Sequence, residues 1–343
     1  MHTALARSLR RTPVVASVLA GALALSACAS TTNVSSSSPS DFETVTITHA
    51  LGTAVITEQP ERIVTLGMGS AETAIALGSI PVGIEEYTWG SDDTGYLPWI
   101  YDEVTEQGAE LPTQFTGGTE LDIEAIVELA PDLILAPWSG VTQEQYDVLA
   151  DIAPTVAYEE KPWTITWEEQ MNVIGTALGK SAETATLIDD IKTQFTETTA
   201  AHPEFTDVTF SFIYNTGPGT LGVFLADEQR VAMVRALGLQ VDPVVDTLDE
   251  TEGTDSSVIG LENADLLKGS DLLFTFYSDA DNRSEIESQE LYQNIPAIAR
   301  GSIVAPTDQP FVTGSSIINP LTVPWALERY VPLINTAIAT LAK

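Results

Sequence analysis

Short apolar runs alternate with amphipathic stretches along most of the chain. Arg62–Leu66 is a β-rich run, and the apolar positions after it follow helical spacing as far as Leu77, where Gly78 predicts a helix end. Leu121–Leu129 is amphipathic and precedes the buried-strand pattern of Asp132–Ala136. This half also contains predicted strands at Pro81–Ile84 and Thr155–Tyr158 and a predicted helix at Gln143–Ile152. Strands that alternate with helices of this length are typical of a parallel sheet with helices on its faces.

The alternation stops between Trp167 and Ala201, where the pattern is helical almost throughout and no proline occurs. We interpret this segment, with weak points at Gly175 and Gly179, as a long helix that joins two lobes; two packed helices of one domain are the alternative. A second series follows it, with strands at Val208–Ile213, Asp271–Phe276 and Ile303–Ala305 and helices at Arg230–Leu237, Glu262–Leu267 and Pro324–Leu341. Roughly 300 residues are also more than one core usually holds, which favours two lobes.

The N-terminus has the order of a secretory signal. Three arginines within residues 7–11 precede the apolar run Val14–Leu25, which is too short to span a bilayer as a helix. Leu25-Ser26-Ala27-Cys28 then resembles the bacterial lipobox, whose cysteine is lipidated and becomes the first mature residue. An ordinary signal peptide that happens to contain a cysteine is the alternative. Residues 29–40 are rich in Ser and Thr, which predicts a flexible tether.

The charge of the chain excludes several kinds of partner. The 343 residues carry 14 basic and 49 acidic side chains, a net charge of −35, and removal of residues 1–27, which hold three arginines and no acid, leaves −38. A surface this acidic does not bind nucleic acid or anionic lipid at large. The single cysteine permits no internal disulfide. With only His49 and His202 left beyond the signal, we expect no metal site built from the protein's own side chains.

The sequence gives little support to catalysis. Gly67-Met68-Gly69-Ser70 follows a predicted strand, but it lacks the third glycine of a dinucleotide-binding loop and the lysine of a P-loop. No histidine has a plausible nucleophile beside it, and the carboxylates are too numerous to single out a pair. We therefore expect no catalytic residues, no enzyme activity and no resident cofactor. An adhesion lipoprotein would explain the acidity but not the motifs described next.

Several motifs resemble the siderophore- and cobalamin-type periplasmic binding proteins, over nearly everything from Phe42 to the C-terminus. The matching segments are Pro60–Leu66 with Ile80–Ile84, Asp122–Ile126 with Leu129–Leu135, and Glu262–Leu267 with Asp271–Leu273. Trp89–Trp99 and Pro320–Pro332 are similar to ferric-siderophore binding lipoproteins of actinobacteria. The resemblance implies an α/β fold of two Rossmann-like lobes with parallel-rich sheets, joined by a long backbone helix, which is the class III architecture. It also implies a ferric siderophore as ligand and an ABC permease with its ATPase as partners.

These inferences divide the chain into five segments. They are a lipoprotein signal peptide (1–27), a tether (28–41), an N-terminal lobe (42–163), a connecting helix (164–202) and a C-terminal lobe (203–343). The expected location is the extracytoplasmic face of the cell membrane, reached through the lipid on Cys28 alone. We expect the protein to be a monomer.

The ligand is expected between the lobes, because ligands of open α/β sheets bind beyond the carboxyl ends of the strands. The candidates at those ends are Met68, Tyr87, Trp89, Trp138 and Ser139 in the first lobe, and Tyr214, Asn215, Tyr277 and Phe311, the last in a predicted 306–319 loop, in the second. Aromatic walls with a few donors suit the apolar rim and exposed oxygens of a ferric siderophore. Core packing is the alternative role of these aromatics.

One departure from the family bears on the ligand's charge. Many relatives have an arginine just before the Asp122–Glu124 motif, but residues 117–120 include no basic side chain here. Arg230 falls on a predicted helix, so Arg283, in the polar loop after Tyr277, is the one cleft cation we predict, with an exposed loop charge as its alternative role. Few cations favour a hydroxamate or mixed-ligand siderophore over an anionic catecholate complex. Haem, ligated by Tyr214 or Tyr277, and cobalamin are the alternative ligands.

The resemblance also implies two docking residues for the permease. Family members dock through one acidic residue on each lobe, and Glu72 and Glu262 occupy the corresponding places here. Each lies at a predicted helix N-terminus, so a solvated charge with a small stabilising effect is the alternative.

Overall fold

A computed structural model describes residues 42–251 and 254–342, so the predicted signal peptide and the predicted tether, with Cys28, lie outside the described residues. The strands are β1 Val45–His49, β2 Gly52–Ile56, β3 Ile63–Thr65, β4 Gly83–Glu85, β5 Thr113–Phe115, β6 Leu133–Leu135, β7 Thr155–Val156, β8 Thr209–Tyr214, β9 Gly222–Phe224, β10 Gln240–Val241, β11 Ser256–Val258, β12 Leu272–Phe274 and β13 Ile303–Val304. The α-helices are α1 Ser70–Ala76, α2 Pro98–Glu106, α3 Ile123–Glu128, α4 Gln143–Ile152, α5 Trp167–Ala177, α6 Ser181–Ala201, α7 Gln229–Ala236, α8 Ala280–Glu287, α9 Glu290–Gln293, α10 Pro296–Arg300, α11 Gln309–Gly314 and α12 Thr322–Ile338. Short 3₁₀ helices cover Gly118–Glu120, Pro203–Asp207, Val245–Thr247 and Leu261–Gly269.

The first lobe is built on a parallel sheet with the strand order β5-β4-β3-β6-β7. Its central strands β3 and β6 are fully buried, as their continuous apolar sequences predict. The antiparallel β1-β2 hairpin packs against β7 at the edge. Helix α1 ends where expected, because Gly78 takes the left-handed conformation that closes it, at φ 72°.

The second lobe is a mixed sheet with the strand order β11-β9-β8-β12-β13, and β10 also pairs with β8. Strands β8, β12 and β13 are parallel, while β9 and β11 run antiparallel to their neighbours. The predicted fold of two parallel-rich α/β lobes is thereby confirmed.

The expected continuous helix over residues 164–202 is two helices, α5 and α6. The break follows Leu178, where Gly179 has φ 66°. The two helices pack closely, and a β-carbon on Gly175 would lie only 1.9 Å from Oγ1 of Thr184. Apolar residues of this pair enter both lobes: Ile174, Ala177 and Leu178 join the first core, and Ile188, Ile191 and Phe195 join the second.

Candidate functional site

The carboxyl ends of both sheets line one pocket of about 340 Å³. Its walls come from the two lobes and include four of the predicted residues. The lining residues are Met68, Tyr87, Trp89, Gly90, Asn215, Arg230, Phe276, Ser278, Val312, Thr313 and Ser316. Another groove, of about 480 Å³, lies at the opposite, amino ends of the first lobe's strands, beside Glu61 and Asp132. Ligands of such sheets bind at carboxyl ends, so the pocket between the lobes is the candidate site.

Met68, Tyr87 and Trp89 form the first-lobe wall. Met68 follows β3 and is 7 % exposed, whereas the indole of Trp89 is 37 % exposed. Tyr87 is half-buried above Glu85. Burial, together with the nearby Glu85 and Glu72 carboxyls, raises the pKa of the Tyr87 phenol well above its ordinary value. Tyr87 therefore presents a neutral hydroxyl and an aromatic face, which suit an uncharged ligand surface.

Arg230 and Phe276 of the second-lobe wall belong to an aromatic stack that continues behind the wall into the second lobe. The rings of Phe224 and Phe276 are nearly parallel, 6.5 Å apart, and the guanidinium of Arg230 lies 4.8 and 5.7 Å from their respective centres. Tyr214 extends the stack beside Phe224. Arg230 also pairs with the buried Glu228, which caps α7 by accepting the backbone N–H of Arg230 at 2.8 Å. Burial raises the pKa of the Glu228 carboxyl, against the opposing effect of Arg230.

Asn215 is the clearest sign of a missing partner. Its side-chain nitrogen and oxygen are both buried, and neither has a hydrogen-bond partner in the described part of the chain. The same holds for Nε of Arg230. A buried polar group left unpaired costs about 1–3 kcal/mol. Both residues line the pocket. Oxygen acceptors of a bound molecule would pair with the two N–H donors, and a hydroxyl or N–H group would pair with the Asn215 oxygen.

The two lobes touch at one end of the pocket. Nε1 of Trp89 donates to the backbone carbonyl of Ser278 across the cleft at 3.3 Å. Next to it, Gly90 lies so close to α11 that a β-carbon there would be 2.3 Å from Oγ1 of Thr313. These contacts close one side of the pocket.

Trp138, Ser139 and Tyr214 lie near strand ends but do not line this pocket. Trp138 is half-buried and stacks edge-on against Trp163 at 4.7 Å. Ser139 is buried and donates to the carbonyl of Ala136 at 2.7 Å, as a turn residue does. The Tyr214 hydroxyl lies 2.9 Å from Oγ of Ser256, inside the second lobe.

Three other candidates are core or surface residues, contrary to our expectation. Tyr277 is 6 % exposed, and its hydroxyl lies 2.9 Å from that of Tyr292. Phe311 is 3 % exposed and belongs to α11 instead of a loop, packed against Tyr330. Arg283 likewise lies on a helix, α8, where it pairs with Glu287 at 2.8 Å. The prediction that residues after a strand end line the cleft is wrong for these three. The segments after β12 and β13 continue into helices, which turn these side chains into the core or along the surface.

Sequence reasoning also missed residues that do line the pocket. Arg230 lies on a predicted helix, and for that reason the sequence does not predict it in the cleft, yet it stands in the first turn of α7, which faces the cleft. Phe276 immediately precedes Tyr277, and because side chains alternate along an extended segment, Phe276 faces the pocket and Tyr277 faces away from it. The buried α11 residues Val312, Thr313 and Ser316, the last just beyond the helix, gave no signal beyond their small size.

The docking assignment of Glu72 is wrong as a surface role. Its side chain is 1 % exposed, accepts the indole N–H of Trp99 at 3.0 Å and accepts the backbone N–H of Gly69 at 2.9 Å. Burial raises the pKa of this carboxyl, with the Trp99 hydrogen bond opposing the rise. A partner protein therefore cannot reach it on the surface. Glu262 is exposed in the first turn of the 3₁₀ helix that begins at Leu261.

Within residues 42–251 and 254–342 no cluster of three metal-ligating side chains occurs. Over the same ranges, no helix has the length and apolar character needed to cross a membrane.

Two lobes with a pocket between their strand ends define a solute-binding protein. The family model described as "Periplasmic binding protein" matches residues 63–310, and the chain belongs to this family.

The chain is 29 % identical over 313 residues to the probable siderophore-binding lipoprotein YfiY of Bacillus subtilis (strain 168), covering 87 % of this chain and 91 % of that one. It is 25 % identical to the Fe(3+) dicitrate-binding periplasmic protein FecB of Escherichia coli (strain K12) over 74 % of this chain and 79 % of that one. The crystal structure of Streptococcus pneumoniae TIGR4 PiaA in complex with ferrichrome superposes with a TM-score of 0.79 and 28 % identity, over 86 % of this chain and 99 % of that one. The family resemblance seen in the sequence motifs is confirmed.

Proposed function

We propose that this protein binds a ferric siderophore outside the cytoplasm and delivers it to an ABC importer. The observation that carries the proposal is the pocket between the lobes, with an aromatic wall beside the unpartnered polar atoms of Asn215 and Arg230. A ferric siderophore presents both an apolar rim and ligand oxygens, so it complements both features. Relatives named for siderophore, ferric dicitrate and ferrichrome binding support the same class of ligand.

The charge of the pocket favours a neutral or cationic ferric complex of hydroxamate or mixed type. Arg230 is the guanidinium in the wall, and Glu228 beside it offsets its charge. Glu72 and Glu85 lie behind the opposite wall, each with a burial-raised pKa. A complex with several negative charges would lose its hydration on binding, and the pocket has no excess of positive charge to compensate for that loss. Its binding would therefore cost free energy.

Haem and cobalamin remain the alternative ligands, but two contacts disfavour haem. The hydroxyl groups of both candidate ligating tyrosines already have partners, Ser256 for Tyr214 and Tyr292 for Tyr277. Burial also raises the pKa of the Tyr277 phenol, which disfavours the phenolate that ligates haem iron.

The remaining roles follow from the carrier function. We propose that the protein is not an enzyme, that iron arrives within the siderophore complex and not as a resident cofactor, and that the carrier works as a monomer. The lipid on Cys28 would hold it at the extracytoplasmic membrane face. Relatives named as lipoproteins support this anchor.

A titration with a panel of ligands tests the proposal. Ferrichrome and ferrioxamine B should quench tryptophan emission saturably, whereas haem and cobalamin should not compete.

Trp89→Ala should weaken binding by about 1–3 kcal/mol, the usual loss for a buried aromatic contact. Glu228→Gln with Arg230→Met, which avoids leaving one buried charge alone, should also weaken it. Arg283→Met is the matched control and should leave the titration unchanged, because Arg283 pairs with Glu287 away from the pocket. Saturable binding of haem or cobalamin without binding of either ferric complex would refute the ligand class.

A further inference from the structure

Two buried glutamines connect the cleft walls from below. Gln170 lies on α5 and Gln229 begins α7, and they are 2 % and 3 % exposed. Nε2 of Gln170 donates to the carbonyl of Met68 at 2.7 Å, and Oε1 of Gln170 accepts from Nε2 of Gln229 at 3.4 Å. Oε1 of Gln229 in turn accepts the backbone N–H of Ile318 at 3.1 Å. These three hydrogen bonds, all donated in the same direction, form what we call the amide relay.

The ends of the amide relay belong to opposite walls of the pocket. Met68 lines the first-lobe wall. Gln229 directly precedes Arg230, and Ile318 stands two residues after Ser316. Arg230 and Ser316 both line the second-lobe wall. Neither glutamine itself lines the pocket. Hydrogen bonds in a buried chain strengthen one another and resist displacement. The relay therefore ties together the two walls without touching the ligand.

The backbone of the cleft floor rests directly on the amide relay. A β-carbon on Gly69 would lie 2.8 Å from Nε2 of Gln170, and Gly69 has φ 83°, a conformation that glycine adopts readily. The backbone between Met68 and α1 is thus in close contact with the Gln170 carboxamide, with no space between them. Any change in the position of the Gln170 carboxamide moves Met68 with it.

We propose that Gln170 and Gln229 are positioning residues that set the distance between Met68 and Arg230, and so determine which size of ferric complex the cleft accepts. This inference rests on the proposed function, because it takes a ferric siderophore as the ligand. Each carboxamide donates and accepts at the same time, which an apolar side chain or a carboxylate of the same length does not do.

The test compares two ferric complexes of different shape. Gln170→Met and Gln229→Met preserve side-chain length but remove the relay. Tryptophan quenching gives the Kd of each variant for ferrichrome and for ferrioxamine B. We expect the tighter of the two complexes to bind roughly tenfold more weakly, as for a lost buried hydrogen bond, and the ratio of the two Kd values to change.

A charge variant separates positioning from packing. Gln170→Glu has the shape of glutamine, but its carboxylate cannot donate to the Met68 carbonyl at neutral pH. Burial raises the pKa of such an acid, so at about pH 5 the protonated carboxyl again supplies a donor and an acceptor. Binding by this variant should recover on acidification, relative to the wild-type protein measured at the same pH.

The matched control is Thr184→Val, which removes a buried hydrogen bond to the Lys180 carbonyl in the same helix pair, away from the cleft. It should lower Tm and leave both Kd values unchanged. Unchanged Kd values in the two methionine variants, or no recovery of Gln170→Glu on acidification, would overturn the positioning role while the proposed function stands. If the wild-type protein binds neither complex, the proposed function itself fails, and the positioning role fails with it.

Discussion

Two arginines show how position within an element decides what a residue does. Arg230 stands in the first turn of α7, where the start of the helix points its guanidinium at the cleft between two phenylalanine rings. Arg283 lies on α8 beside Glu287, one turn further along the same helix. The sequence shows both as basic residues among acids. Their difference depends on which helix end faces the cleft, and local sequence does not contain that information.

Asp255 is an acid whose protonation bears on the stability of the fold. Burial, reinforced by the nearby Glu228, Glu250 and Asp227 and opposed by Lys161, raises its pKa from 3.8 to about 6. An acid whose folded-state pKa is raised stabilises the fold below its unfolded pKa, and this contribution is lost as the pH rises from about 4 through about 6.

We therefore expect Asp255→Asn to raise the free energy of unfolding at pH 7 by about 1 kcal/mol, after allowance for partial solvent screening. The gain should shrink as the pH falls toward 4. Urea unfolding of both proteins at several pH values measures this difference. A gain that stays constant across the range would show that Asp255 titrates normally.

At the scale of elements, periodicity located most of the parallel-sheet strands and their helices. Helix α4 has the predicted bounds, Gln143–Ile152, because a capping threonine begins it and its apolar face is regular. The weaker elements escaped notice. Strands β9 and β11 pair antiparallel to their neighbours, outside the strand–helix alternation that reveals the parallel strands, and the predicted Glu262–Leu267 helix is a kinked 3₁₀ segment. Elements outside that alternation depend on tertiary contacts, so the local sequence pattern does not reveal them.

The candidate site was predictable only in part, for a related reason. The strand ends gave Met68, Tyr87, Trp89 and Asn215, because the rule linking ligands to carboxyl ends depends on topology that alternation reveals. Residues supplied by helices, such as Arg230 and Thr313, depend on how the second lobe's helices pack back toward the first.

The close approach of α5 and α6 gives an element-scale prediction. Gly175→Ala would place a methyl group 1.9 Å from Oγ1 and 2.8 Å from Cβ of Thr184. We expect the helices to separate at a cost of about 1–3 kcal/mol, as for other overpacked cores. Thermal or urea unfolding measures the loss. Combining Gly175→Ala with Thr184→Ala removes Oγ1, the nearer of the two clashing atoms, and should restore part of the stability. Equal stability of the single variant Gly175→Ala and the double variant would contradict the packing explanation.

At the scale of the whole molecule, the two lobes are joined by buried polar bonds as well as by shared helices. Trp325 of α12 packs edge-on against Trp99 of α2 at 5.2 Å, and Glu72 holds the Trp99 indole in place. The carboxyl that was expected to meet a partner protein thus serves the internal contact between lobes. Because Glu72 is buried in this contact between the lobes, a partner protein has to dock on other, exposed residues.

Glu262 is the remaining docking candidate, and its surroundings allow a clean test. It is one of 49 acids in a chain of net charge −35, and it is exposed in the first turn of a 3₁₀ helix. Reversing such a surface charge changes folding stability little. A rim charge at a protein interface, in contrast, governs association and its salt dependence. We expect Glu262→Arg to reduce siderophore-dependent uptake roughly tenfold or more in cells, because it reverses the acidic charge through which the family resemblance has this lobe dock on the permease. Ligand titration and Tm of the purified variant should match the wild-type protein.

Glu183→Arg, which reverses an equally exposed acid in the first turn of α6, is the matched control and should support normal uptake. Normal uptake by Glu262→Arg, or an equal loss in both variants, would remove Glu262 from the docking surface and leave the carrier function untouched.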